Sequence, residues 1–65
     1  MKMRYFRATD TLYIEFRSGA ISERRDLDEN TLFEMDGQGQ LCGITLEHAS
    51  ERTDIPRFSF EEVAA

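Results

Sequence analysis

Between Asp10 and Arg17 the chain alternates strictly, with Leu12, Ile14 and Phe16 on one parity and Tyr13, Glu15 and Arg17 on the other. Period two carried by β-branched and aromatic residues predicts a half-buried strand over Thr11 to Arg17. A second alternating region is interrupted by Asp36-Gly-Gln-Gly-Gln40, and an Asp-Gly turn between two such runs predicts an antiparallel hairpin of Thr31 to Asp36 with Leu41 to Glu47. With the turn centred on Gly37-Gln38, Phe33 faces Cys42 and Thr31 faces Ile44, so Phe33, Met35, Cys42, Ile44 and Leu46 share one apolar face. The same register sets Gly43 across from Leu32, a place for close approach of a neighbour or for a bulge.

Weaker patterns flank these. Met3 to Arg7 reads as a first strand, with Ala8-Thr9-Asp10 as its connection and Ser18-Gly19 as the turn that follows the second. Ile21 to Leu27 reads as a third strand, yet Glu23 and Arg25 share the parity of Ile21 and Leu27, a pattern suited to an edge that resists unwanted pairing. Asp28-Glu-Asn30 is a turn. After His48 the alternation stops: Ala49 to Arg57 is polar, and Pro56 directs Ile55 to an extended conformation. Ser59-Phe-Glu-Glu62 has the form of a capping box, with Phe58 and Val63 placed as its hydrophobic staple, and predicts a helix beginning there. The expected fold is α+β and mainly β: one domain over residues 1–65, with a four- or five-stranded antiparallel meander over 2–48 and a C-terminal tail with a short helix over 49–65.

Length changes this picture. A 65-residue chain has a thin core, which rarely supplies more than about 3–5 kcal/mol without a disulfide, a metal or self-association. Cys42 is the one cysteine, so an internal disulfide and a four-thiolate zinc site are both excluded within one chain. Phe6, Tyr13, Leu32 and Leu41 fall on the parity opposite the main apolar set, and Phe58, Phe60 and Val63 lie in the tail. These residues need a cover, and the expectation is a homodimer. With neither an export signal nor a membrane-length apolar run, the expected location is cytoplasmic, away from membranes.

Charge and candidate chemistry add little. The net charge is −5, with +3 over residues 1–25 and −8 beyond, read as complementarity inside the sheet or as an acidic surface for a basic partner. Lys2, Arg4, Arg7, Arg24 and Arg25 would form a basic patch for nucleic acid, with Phe6 or Tyr13 as stacking surfaces, only if the first and third strands lie together; overall acidity opposes this. Cys42, Glu47 and His48 offer metal-ligating and nucleophilic residue types. Along one strand, however, Cys42 and His48 are about 20 Å apart at roughly 3.3 Å per residue, too far to act together. Asp36-Gly-Gln-Gly39 precedes a strand rather than a helix, so it lacks the setting of a phosphate loop. Glu61-Glu62 and Asp28-Glu29 are the carboxylates of a cap and a turn. No catalytic, cofactor-binding or metal-binding residue is assigned, no cofactor is expected, and the chain is read as a non-enzyme.

The spacing of Tyr5, Asp10, Leu12, Tyr13 and Ile14, followed by Asp36, Gly39, Leu41, Gly43, Ile44, Ala49 and Ser50, resembles the pattern of a bacterial and archaeal domain family of unknown function, DUF2283, over residues 5–50. Phe6, Ala8 and Thr45 stand where that pattern usually has carboxylates. The resemblance implies a fold rather than a reaction and transfers no catalytic residue; what it implies about partners is an antitoxin-like role against a small toxin, which the acidity of this chain makes a small basic protein. The expected function is a non-enzymatic protein-interaction module of that kind. The alternatives are a small enzyme or metal-dependent hydrolase with a site formed across a dimer, and a nucleic-acid-binding protein using the basic N-terminal strands.

Overall fold

A computed structural model describes residues 1–65 as five strands and one short helix: β1 Lys2–Phe6, β2 Thr11–Glu15, β3 Glu23–Asp28, β4 Thr31–Met35, β5 Leu41–Glu47 and α1 Ala49–Arg52. The strands form one antiparallel sheet in the order β1-β2-β5-β4-β3. The meander therefore runs through β3, β4 and β5, while β1 and β2 form a separate hairpin joined to it by the β2–β5 ladder. Residues 16–22 carry the chain past the ends of β5 and β4 to the far edge: the Phe16 N–H donates to the Cys42 carbonyl and the Ser22 N–H to that of Met35, both at 2.8 Å.

The alternation of β2 survives in the sheet. Leu12 pairs with Tyr5 and Leu46, and Ile14 with Met3 and Ile44, so these residues share a face with Phe33, which lies opposite Ile44. On β2 only Leu12 is buried; Ile14, Phe16, Phe33, Ile44 and Leu46 are half-buried. The reason is architectural. The molecule measures 36 × 32 × 17 Å, the thickness of one sheet with a partial cover, whereas domains ordinarily bury an apolar face between two packed layers.

The β4–β5 hairpin differs from the expected register. Thr31 pairs with Leu46 and Phe33 with Ile44, two positions along from the pairing set by a turn at Gly37-Gln38. Two features account for the shift. The Asp36 carboxylate accepts the N–H groups of Gln38 at 2.9 Å and Gln40 at 3.0 Å, and Gly39 adopts φ 77°, so the loop spans more residues than a two-residue turn. A bulge then leaves Cys42 between the Glu34–Gly43 and Met35–Leu41 pairs. Because the slip is by two, side chains keep their predicted faces as far as the bulge; beyond it Leu41, expected on the opposite face, pairs with Met35 and shares its face. Gly43 accordingly opposes Glu34 and not Leu32, which pairs with Thr45.

The helix also lies elsewhere. It occupies Ala49–Arg52, within the stretch read as merely polar, and Ser59–Ala65 forms no helix despite its capping box. Phe58, Phe60 and Val63 are exposed, and a short segment whose apolar side packs against nothing does not offset helix nucleation. Helix α1, by contrast, is held from both sides. Its Ala49 is fully buried, and Arg52 donates to the carbonyls of Asn30 at 2.8 Å and Glu47 at 3.1 Å and to Thr31 Oγ1 at 2.6 Å.

Candidate functional site

Asp10, in the turn after β1, has a left-handed backbone with φ 52°, a conformation aspartate tolerates because its short carboxylate can bond locally. That carboxylate accepts the Tyr5 hydroxyl at 2.6 Å, the Ser50 N–H at 3.0 Å and the Ser50 hydroxyl at 2.8 Å, and the Asp10 carbonyl accepts the Ala49 N–H at 2.9 Å. His48, the residue before α1, makes no capping bond and is itself left-handed, so Asp10 satisfies the first turn of the helix from 40 residues away. Tyr5, Asp10, Ala49 and Ser50 all belong to the family-like spacing, and in the structure they meet to fasten the helix onto the β1–β2 hairpin. Nothing in the local sequence of the Ala8-Thr9-Asp10 connection signals that contact.

The hydrogen bond from Tyr5, followed by those from Ser50, holds the Asp10 carboxyl below the usual aspartate range, and the same bond pushes the Tyr5 phenol upward. Asp28 is lowered chiefly by the Asn30 N–H, and Asp36 by the N–H groups of Gln40 and Gln38. A carboxyl lowered in the folded state stabilises fully above the ordinary aspartate value of about 4 and loses that contribution as pH falls through the folded value. The unfolding temperature should therefore hold from neutral pH to about 5 and fall below about 4. Asp10→Asn should start lower and show a shallower acid fall; an acid limb identical to wild type would contradict the role of this carboxylate.

On the opposite face the Tyr13 hydroxyl donates to Glu34 Oε1 at 2.8 Å and Arg24 Nε to Glu34 Oε2 at 3.0 Å, a chain that crosses β5 above Gly43. Glu34 is nearly buried; its bond raises the Tyr13 phenol. Each carboxylate oxygen is engaged by a partner within the sheet, and no buried side-chain polar atom lacks one. The arrangement ties β2, β4 and β3 together. Cys42 is buried, with its Sγ 3.7 Å from the Gln40 carbonyl, while His48 lies beyond the other end of β5, exposed and 3.5 Å from Glu51. The structure does not bring the two together. It also sets β1 and β3 at opposite edges, so Lys2, Arg4 and Arg7 do not join Arg24 and Arg25 in the basic patch that a nucleic-acid reading needs.

What the structure does assemble is an apolar groove of about 440 Å³ on the face that carries Leu12, between Met1, Met3 and Tyr5 on one side and Pro56, Phe58 and Phe60 on the other. Leu12 lines it and is only 3% exposed, whereas Phe58 and Phe60 on its rim are 65% and 78% exposed. The sequence marked these aromatic residues as needing a cover, but the groove itself depends on the C-terminal segment returning to β1.

Among known proteins, no curated protein and no solved structure matches this chain. A family model described as a protein of unknown function (DUF2283) matches residues 2–50, which span all five strands and the start of α1. The chain belongs to the DUF2283 family.

Proposed function

We propose that this protein is a non-enzymatic interaction module that works as a homodimer, its apolar sheet face covered by a second copy. The observation that carries the reading is area. The chain exposes 5274 Å², against roughly 4,300 Å² for a compact monomer of this mass. The excess, on the order of 1,000 Å², is close to the roughly 800 Å² each partner removes from water in a standard stable interface. Its radius of gyration, 13.0 Å, likewise exceeds the roughly 11 Å of a compact chain of this length. The polar groups support the same reading, because Asp10, Glu34 and Arg52 are spent on holding the sheet together rather than converging on a substrate-sized space.

Binding that favours the folded state makes apparent stability depend on concentration. The unfolding temperature should rise steadily as protein concentration increases from submicromolar to hundreds of micromolar. A transition that is independent of concentration over that range would overturn the reading.

A small basic protein as a second partner is the more specific form of this function. Acidity is what favours it: the net charge is −5, and residues beyond 25 sum to −8. Complementary charge of that kind speeds encounter and selects among partners.

A further inference from the structure

We infer that the two copies meet at the β1 end of the sheet, each inserting Phe60 into the other's groove between β1 and the C-terminal segment. The inference rests on the self-association proposed above and adds its location. The two edges of the sheet are unequal. Edge strand β3 is exposed throughout, carries Glu23, Arg24, Arg25, Asp26 and Asp28, and breaks register between Asp26 and Asp28, all devices that deter pairing. The β1 edge is less guarded, with Lys2 and Arg4 as its only charged residues and an unbroken register with β2. Of the eight exposed large hydrophobic residues, five belong to the groove side of β1 or to the C-terminal segment: Met1, Tyr5, Phe58, Phe60 and Val63.

This patch is complementary to itself, as a two-fold contact requires. It offers a projecting aromatic, Phe60, beside an apolar groove of about 440 Å³. Rotation about a two-fold axis lets each ring enter the opposite groove. The wall is ready to receive it: the Tyr5 hydroxyl is already engaged by Asp10 at 2.6 Å, so burying the tyrosine ring orphans no polar group.

The test compares the mass in solution, at micromolar concentration, of the full chain, Phe58→Ser/Phe60→Ser and Leu27→Ser, the last altering an exposed apolar residue of the guarded edge. The full chain and Leu27→Ser should have twice the 7.6 kDa chain mass and the double variant 7.6 kDa. A second measurement does not depend on the double variant remaining folded. Cys42 is 1% exposed, so mild oxidation of Phe60→Cys should give a covalent dimer through the new thiol, whereas Leu27→Cys should give none. A dimer that survives Phe58→Ser/Phe60→Ser, or that cross-links through Leu27→Cys and not through Phe60→Cys, overturns this location while leaving self-association intact. A monomeric full chain, including one whose groove takes up only an apolar peptide or small ligand, overturns both.

Discussion

Gly43→Val should abolish cooperative unfolding, leaving a chain without sheet structure at room temperature. A Cβ at this position would stand 2.8 Å from the Tyr13 hydroxyl, 3.2 Å from Glu34 Oε1 and 3.2 Å from the Ile14 carbonyl oxygen. The tyrosine can swing aside, but the Ile14 carbonyl is ladder backbone and cannot move alone. Displacing Tyr13 also strips a hydrogen bond from Glu34, which is nearly buried. Overpacking costs about 1–3 kcal/mol and an unsatisfied buried polar group about 1–3 kcal/mol more, together comparable to the roughly 3–5 kcal/mol a core of this size supplies. Circular dichroism melts check the outcome, and a midpoint equal to or above wild type would contradict the close approach. The mechanism has its own check: Gly43→Ala should cost less in a Tyr13→Phe background than in wild type, because the nearest clashing atom is then gone.

Leu12→Ala should have the next largest effect. Leu12 lies between Tyr5 and Leu46 in the sheet, lines the groove under the C-terminal segment and is 3% exposed. Truncating a buried leucine to alanine costs about 2–5 kcal/mol, enough to remove most of the stability expected here. Ile14→Ala alters the same face one pleat away, but Ile14 is half-exposed, so less area returns to water and the cost should be smaller. Denaturant unfolding of the two variants decides the order. If Leu12→Ala loses less than Ile14→Ala, the C-terminal segment does not cover this part of the sheet.

The two cases show what a sequence of this kind makes legible. Alternation is local, and it placed β2 and β5, assigned the residues of both to their faces except Leu41, and marked β3 as a guarded edge. Register was only partly legible, since it depends on how far the Asp36 carboxylate extends its loop, which shifts the pairing by two and keeps the faces, and on an unpaired Cys42, which moves Leu41 to the face of Met35. The order of the strands was not legible, because the β2–β5 ladder joins segments some thirty residues apart. Helix α1 was missed for the same kind of reason: four residues have no helical tendency worth reading, and their support comes from Asp10, Asn30 and Thr31, all distant in sequence. The capping box at Ser59 misled because it describes how a helix would begin, while tertiary contact decides whether it forms. Of the candidate interaction surface, the uncovered aromatic residues were legible and the groove beside them was not, since that requires knowing where Phe58 and Phe60 come to rest.

The proposed second copy would cover the apolar face that a single sheet layer leaves partly open, and mass in solution tests this most directly. Light scattering coupled to size exclusion at micromolar concentration should give twice 7.6 kDa for the full chain. A mass of 7.6 kDa that persists at hundreds of micromolar, for a chain that still shows a cooperative melt, would contradict the account.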